Sequence, residues 1–273
     1  MKTLDYQRLL QEADTRETRL FVEGLPAERE RIKAINQMSH DDSLITLTFQ
    51  GLCFTVRKSN AFSAVETYCE IFHRDNHCLH PDFIPSNSDV IVDFGANQGF
   101  YVAKIKKIAP SAKVFAFEPN PWEYSLLEQN CRNNDFQNVI LNHHAIYDRA
   151  VELTMEVIPQ IGAIGSTDIH HPSRTWLKEE FIKKITVQAI SADQALEKYK
   201  LDHVDIMKID VEGAEWEILS QFQLIDRVQK LVIEWHSHAL RAKVLSLLLG
   251  KGFRLVFEDA VQGDYYGEFY LCR

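Results

Sequence analysis

The chain has 273 residues, of which 45% are hydrophobic and 25% are charged. This length suits one large domain, or a domain with an added lobe, and the composition is ordinary for a globular protein with a substantial core. The formal net charge is −9. Because nucleic-acid backbones are bound chiefly by Lys and Arg, we expect no nucleic-acid partner.

The sequence carries no pattern typical of secretion or membrane insertion. Its five cysteines are scattered and form no C-x-x-C pair, which predicts reduced thiols. The first residues are highly charged and lack the apolar segment of a secretory signal, and no apolar run approaches the length of a membrane span. We therefore expect a cytoplasmic protein.

Residues 1–88 are predicted to form an N-terminal α/β extension. Apolar residues at helical spacing predict helices, and alternation on both sides of Gln50-Gly51 predicts a β-hairpin. The predicted order is two helices, the hairpin and a third helix, over residues 4–22, 27–35, 44–56 and 61–73.

Residues 89–273 are predicted to form a second unit, in which short apolar runs alternate with amphipathic segments. This alternation predicts an α/β fold with a doubly wound, mostly parallel seven-stranded sheet and right-handed crossovers. The last two strands, 254–257 and 268–272, are predicted as an antiparallel pair. Two extra strands, 151–157 and 185–190, are predicted around a loop over residues 159–174.

A glycine turn follows the first strand of this unit, where residues 90–101 read VIVDFGANQGFY. Glycine permits a tight turn and close approach of a ligand, and the first amides of the following helix point at that ligand. An acid at the strand end, Asp93, would repel a pyrophosphate but suits a ligand with an ammonium group. The turn therefore predicts a cradle for S-adenosylmethionine, with a ligand-free turn as the alternative.

A second acid, Glu118, ends the next predicted strand and follows Asp93 by 25 residues, from 118 − 93. In doubly wound folds an acid at this place binds the ribose hydroxyls of a nucleotide. The alternative for Glu118 is an exposed strand-end glutamate. Two acids beside one glycine turn favour the ligand interpretation.

Five segments occur in an order that is known from one enzyme family: VIVDFGANQGFY (90–101), AFEPNP (116–121), HHAIYD (143–148), DIMKIDVEGAEWEIL (205–219) and LVIEWH (231–236). On these segments the chain resembles the FkbM-type methyltransferases, a branch of the class I S-adenosylmethionine-dependent enzymes. The resemblance covers roughly residues 45–270. It implies methylation of a hydroxyl on a sugar, a glycolipid or a natural product, so the expected partner is a small-molecule or glycan acceptor. Residues 1–44 match no motif of the family.

The resemblance also implies which residues bind the cofactor. The methionine end is assigned to the glycine turn, the ribose to the second acid, and the adenine to the segment after the third strand. Asp148 either reaches the adenine amino group or is a turn residue. The predicted cofactor residues are Asp93, Gly95, Ala96, Asn97, Gly99, Glu118, Pro119, Ala145, Ile146, Asp148 and Asp210.

Three residues are candidates for catalysis: Asp210, Glu212 and His236. A hydroxyl acceptor loses a proton during methyl transfer, so a nearby base helps. If residues 210–212 are extended, the two carboxylates share a face and repel each other, and one pKa is raised. The alternatives are a helix-capping role for Glu212 and a packed histidine for His236.

A metal site is not predicted. His73, His77, Cys78 and His80 are close in sequence, but we interpret them as a polar helix end, because a metal needs three or four convergent ligands. Two other functions stay open from the sequence. One is a non-catalytic S-adenosylmethionine-binding module, and the other is a nicotinamide-dependent oxidoreductase, which the spacing of the glycines disfavours.

Overall fold

The computed structural model describes residues 5–33, 41–158, 165–166, 182–260 and 266–273. The described strands are β1 (Leu44–Phe49), β2 (Leu52–Arg57), β3 (Val90–Phe94), β4 (Lys113–Phe117), β5 (Val139–Asn142), β6 (Ala145–Tyr147), β7 (Val151–Val157), β8 (Gly165–Ser166), β9 (Lys183–Ser191), β10 (Val204–Ile209), β11 (Val228–Trp235), β12 (Arg254–Ala260) and β13 (Gly267–Cys272). The described α-helices are α1 (Tyr6–Glu12), α2 (Arg16–Lys33), α3 (Ala61–Phe72), α4 (Phe100–Ile108), α5 (Pro121–Asn133), α6 (Ala192–Lys198), α7 (Glu215–Gln221) and α8 (His238–Gly250).

The central sheet has seven strands in the order β12-β13-β11-β10-β3-β4-β5. The five strands from β11 to β5 are parallel, and β13 is antiparallel to both of its neighbours. Strands β3, β4 and β10 are almost wholly buried, because helices cover both faces of the sheet. One face packs against α3, α4 and α5, and the other against α6, α7 and α8. The predicted fold class is confirmed, including the antiparallel pair at the end of the chain.

The N-terminal extension shares the core of the central sheet. Leu9 of α1 and Phe54 of the hairpin belong to the same buried cluster as Ile91 of β3. The Phe54 and Phe100 rings stack with their centroids 4.6 Å apart, which joins the hairpin to α4. The division of the chain at residues 88 and 89 stays a prediction about its organisation, since one core spans it.

The first helix differs from the prediction. A single helix over residues 4–22 was expected, but the helical structure breaks after Glu12. Ala13 leaves the helix to form a β-bridge with Phe49, and the Thr15 hydroxyl accepts from the backbone N–H of Thr18 at the start of α2. The break is therefore caused by pairing with the hairpin, which the helical periodicity alone does not reveal.

Asparagine side chains fix the hairpin to α5. Asn134 exchanges hydrogen bonds with the backbone of Cys53, at 2.8 and 2.7 Å. Asn130 Oδ1 accepts from the Thr55 N–H at 2.7 Å, and its Nδ2 donates to the Gln98 carbonyl at 2.9 Å. Asn130 thus joins the hairpin to the glycine turn after β3.

A smaller sheet with the order β6-β9-β7-β8 lies beside the central one. Strands β7 and β9 confirm the two extra predicted strands, while β6 and α6 were not predicted. The expected loop over residues 159–174 lies outside the described residues, apart from β8. Among the described helices, none combines the length and the apolar character needed to cross a membrane.

Candidate functional site

A cavity of about 530 Å3 opens at the carboxyl edge of the parallel strands. In open α/β sheets ligands bind at this edge. The wall combines segments after β3, β4, β10 and β11 with residues of the small sheet and of α3. Its lining includes Gly95, Ala96, Asn97, Glu118, Pro119, Ala145, Ile146, Lys208, Asp210, Glu212, Glu234 and His77. Most of the predicted site residues therefore meet at one place.

The glycine turn has a backbone conformation that lets a ligand approach the main chain closely. Gly95 and Gly99 have φ of 86° and 88°, in the left-handed region that favours glycine. A Cβ at Gly95 would lie 1.8 Å from the Asp210 carbonyl oxygen, so a larger residue does not fit there. Asn97 is also left-handed, and its backbone N–H faces the neighbouring strand end. The turn is therefore fixed between the ends of β4 and β10.

Glu118 is buried and lies at the cavity wall. Its Oε1 accepts from the Asn120 N–H and its Oε2 from the Asn97 N–H, both at 2.8 Å. Burial raises the pKa of Glu118 to about 8, although the two N–H groups act in the opposite direction. Once Glu118 is ionised, each carboxylate oxygen has a further lone pair that can accept from a hydroxyl group.

The predicted adenine segment lies partly at the cavity. Ala145 and Ile146 line it, together with Leu153 and Met155 of β7, which the sequence analysis did not single out. Asp148 is not among the described lining residues, and its Oδ2 accepts from Arg149 at 2.7 Å. The structure therefore favours the turn interpretation for Asp148.

Two other predicted cofactor residues, Asp93 and Gly99, are also outside the described lining. Asp93 is fully buried, and a Cβ at Gly99 would come within 2.7 Å of the Leu127 side chain. Direct contact of either residue with the cofactor stays a prediction. In the structure both residues are buried beside the turn and do not line the cavity.

Lys208 lies at the centre of the buried charges. Its Nζ is 3.2 Å from Asp93 Oδ1 and 3.4 Å from Asp210 Oδ2, and it donates to the Gly95 carbonyl at 2.8 Å. Burial lowers the pKa of Lys208, but the two carboxylates outweigh burial and raise it, so the ammonium group stays charged. Lys208 was given no role from the sequence. A lysine next to the end of a strand that is otherwise apolar except for Asp205 is the signal that indicates it.

The expectation of a raised pKa is wrong for Asp210. Burial raises the pKa of Asp210, but the charges of Lys208, His236 and His77 outweigh this and lower it. The segment is also not extended, because Glu212 has a φ of 56°. The two carboxylates are therefore not held on a shared strand face.

The capping alternative for Glu212 is not what the structure shows. The N-cap of α7 is Ala214, and no side chain bonds to the helix there. The Gly213 N–H instead donates to Glu215 Oε1 at 3.1 Å. Glu212 lines the cavity, which places it where a substrate can reach it.

His236 lies among four carboxylates. Its Nδ1 is 2.9 Å from Glu215 Oε1, and its Nε2 is 3.4 Å from Glu212, 3.8 Å from Asp210 and 3.9 Å from Glu234. Burial lowers the pKa of His236, but these carboxylates outweigh burial and raise it well above its ordinary value. An imidazolium has no lone pair for a proton, so the structure favours a positioning role for His236.

Glu234 and His77 also line the cavity and were not assigned to the site from the sequence. Glu234 is near the end of β11, and burial and the Asp210 carboxylate raise its pKa well above its ordinary value. A ring nitrogen of His77 lies within 4.8 Å of carboxylate oxygens of Asp210 and Glu234. Glu234 could have been found from the sequence, because the ends of parallel strands meet at one edge of a sheet. No signal in the sequence identifies His77.

The histidines near residue 77 do not form a cluster. His73 Nε2 is 2.8 Å from Glu12 of α1, whereas His77 Nδ1 is 2.6 Å from Glu268 of β13. His80 Nδ1 accepts from the Asp82 N–H. These three side chains therefore bond in three different directions, in agreement with the polar interpretation of this segment.

The fold is a doubly wound α/β fold with a cavity at the carboxyl edge of its parallel strands, where such folds bind small molecules. The Methyltransferase FkbM domain matches residues 93–255, more than half of the chain. The chain therefore belongs to the FkbM methyltransferase family, and the predicted resemblance is confirmed. Its cofactor is S-adenosylmethionine.

Relatives from fungi, bacteria and archaea are similar to the chain. Methyltransferase sdnD of Sordaria araneosa is 29% identical over 230 residues, covering 73% of this chain and 87% of the relative. The 31-O-demethyl-FK506 methyltransferase FkbM of Streptomyces tacrolimicus is 25% identical over 232 residues, covering 75% and 87%. The hexuronic acid methyltransferase AglP of Haloferax volcanii is 27% identical over 161 residues, covering 59% and 61%.

The cavity fits this cofactor. Its volume of about 530 Å3 lies in the range of small-molecule sites, roughly 300–1,000 Å3. The carboxylates of Glu118 and Asp210 offer acceptors for ribose hydroxyls and for an ammonium group, and Ala145 and Ile146 offer an apolar wall for a base. When bound, the cofactor supplies an electrophilic methyl group.

Proposed function

We propose that the protein methylates a hydroxyl group on a sugar, a glycolipid or a natural-product acceptor. The observation that carries this proposal is the group of three carboxylates, Asp210, Glu212 and Glu234, at one wall of the cavity. The names of two relatives support it: a 31-O-demethyl-FK506 methyltransferase indicates an oxygen acceptor, and a hexuronic acid methyltransferase indicates an acceptor of the sugar-acid class.

We assign the proton acceptor to Glu212. The acceptor oxygen forms a bond to the methyl carbon and loses its proton, which needs a carboxylate within reach of the hydroxyl. Asp210 is less suited, because the charges of Lys208, His236 and His77 outweigh its burial and lower its pKa, which makes it a weaker base. His236, 3.4 Å from Glu212 Oε2, holds this carboxylate in place.

The experiment is methyl transfer to a panel of hydroxylated glycans and metabolites, with formation of S-adenosylhomocysteine as the readout. Once an acceptor is found, single-turnover rates are compared for the wild type and Glu212→Gln at saturating cofactor. We expect the substitution to lower the rate by about 10²–10⁴-fold and to leave cofactor affinity unchanged.

The matched control is Glu197→Gln, which makes the same chemical change at an exposed position of α6. A Glu212→Gln rate within about threefold of the wild type is too small a loss for a general base and would remove Glu212 from the mechanism. Methylation only of amines across the panel would overturn the hydroxyl proposal.

A further inference from the structure

The cavity contains a set of nitrogen and oxygen donors that the methyl-transfer roles above do not use together. His77, Asp210 and Glu234 each offer one ligand atom, and these atoms lie within 4.8 Å of one another. All three side chains line the cavity. They come from three separate parts of the fold: the loop after α3, the end of β10 and the end of β11.

His77 is oriented by a carboxylate behind it. Glu268 of β13 is buried, and its Oε1 lies 2.6 Å from His77 Nδ1. The other oxygen of Glu268 accepts from the His77 backbone N–H at 3.2 Å and from the Tyr270 hydroxyl. Glu268 therefore contacts His77 at both its ring and its backbone N–H. A carboxylate that fixes a histidine in this way is the usual second layer of a metal site.

Two cations, Lys208 and His236, lie beside this set and share their contacts with other groups. Lys208 is held by Asp93 at 3.2 Å and by the Gly95 carbonyl at 2.8 Å, and it reaches Asp210 only at 3.4 Å. His236 is placed among Glu212, Glu215, Asp210 and Glu234, and it is not among the described lining residues of the cavity.

We propose that His77, Asp210 and Glu234 bind a divalent transition-metal cation at the wall of the cavity. One imidazole nitrogen with two carboxylates suits Mn²⁺ or a similar ion better than Ca²⁺ or Mg²⁺, which prefer oxygen ligands alone. Three protein ligands leave coordination positions that face the cavity. The role of the cation toward the acceptor rests on the proposed function. An acceptor with two neighbouring oxygens, such as a vicinal diol or an α-hydroxy acid, would occupy the open coordination positions.

The test is calorimetric titration of the full-length protein with Mn²⁺ alone, after removal of metals with a chelator. We expect one site in the wild type and an affinity at least tenfold lower in Glu234→Gln and in His77→Asn. Asparagine is chosen because His77 has a φ of 65°, which asparagine tolerates. Thermal unfolding gives a second readout, because a ligand that binds only the folded state raises the melting temperature.

The matched control is His203→Gln, which removes an exposed histidine 2.9 Å from Asp205, just before β10 and thus at the opposite end of that strand from Asp210. It should bind Mn²⁺ like the wild type. No binding to the wild type, or equal binding by Glu234→Gln and His77→Asn, would overturn the site. So would loss of binding in Glu212→Gln without loss in His77→Asn, since this would place the ion beside His236.

Titration and methyl transfer separate the two proposals. If the acceptor panel shows no methylation, the Mn²⁺ titration still decides whether the site exists. If methylation of diols proceeds equally after chelation, the proposed role of the cation toward the acceptor fails while the proposed function stands.

Discussion

The predicted contact of Glu118 with the ribose of the cofactor can be tested by a single substitution. Its two carboxylate oxygens already accept one backbone N–H each, so the side chain is held in place before any ligand binds. If the ribose hydroxyls donate to it, Glu118→Ala should weaken S-adenosylhomocysteine binding by about 1.5–3 kcal/mol at a pH above about 8, where Glu118 is ionised, which is the range for hydrogen bonds to charged groups. Calorimetry measures this directly.

The control for this prediction is Glu197→Ala on α6, an exposed residue whose removal should leave the dissociation constant unchanged. A Glu118→Ala protein that folds normally and binds the ligand like the wild type would show that the carboxylate does not contact the ribose.

Glu123 of α5 should make stability depend on pH. The residue is 1% exposed, and burial raises its pKa from 4.5 to about 7, although Arg57 at 3.6 Å acts in the opposite direction. Because the folded pKa is the higher one, this contribution to stability is complete below about pH 4.5 and is lost as pH rises through about 7. The loss amounts to at most about 3 kcal/mol.

Glu123→Gln removes this titration. We therefore expect the stability of the variant, relative to the wild type, to increase as pH rises from about 4.5 to about 8. Urea unfolding at several pH values measures the difference. A constant difference across this range would show that Glu123 does not change its protonation there.

The sequence predicted single site residues better than it predicted their partners. Glu118 and the glycine turn are recognisable because each follows a local pattern of strand, turn and helix. Lys208 with Asp93, and His77 with Asp210, are separated by more than a hundred residues and meet only because of the strand order. The direction of the pKa shift of Asp210 could not be predicted for the same reason, since it depends on Lys208.

Among the elements, α5 joins the hairpin to the glycine turn through Asn130. Asn130→Ala would leave the Thr55 N–H and the Gln98 carbonyl without their partner in a buried place. Each unsatisfied group costs about 1–3 kcal/mol, so for the two groups we expect a loss of roughly 2–6 kcal/mol in the free energy of unfolding. Chemical denaturation is the measurement.

Asn133→Ala is the comparison for this prediction. Asn133 is on the same helix but is exposed, and its side chain bonds only to the Thr55 hydroxyl in the described structure. Its replacement should cost less than about 1 kcal/mol. Equal losses for the two variants would mean that the buried position of Asn130 has no special importance.

Elements were predicted well where one local pattern decides them. The parallel strands are short apolar runs, and the hairpin turns at Gln50-Gly51, both with positive φ. The short helix α6 was missed, although Ser191 and Gln194 form a capping box at its start and were available as a signal. The break between α1 and α2 depends on contact with Phe49, which no local pattern contains.

At the scale of the molecule, the shared core predicts that residues 89–273 do not fold without the extension. Removing residues 1–88 would expose the face of α4 that packs against Phe54 and would remove α3 from the cavity wall. We expect the truncated chain to lack a cooperative thermal transition and to bind no S-adenosylhomocysteine. A truncated chain that unfolds cooperatively and binds this ligand would establish the extension as an independent unit.

The contact between Glu268 and His77 determines when the cavity can be completed during synthesis on the ribosome. His77 and the strand ends at Asp210 and Glu234 are synthesised before residues 267–272, which insert between β11 and β12. A nascent chain that stops before β13 contains every residue of the proposed metal site and of the glycine turn, but not the carboxylate that orients His77. The cavity is therefore completed only once β13 has been synthesised and has paired with β11 and β12.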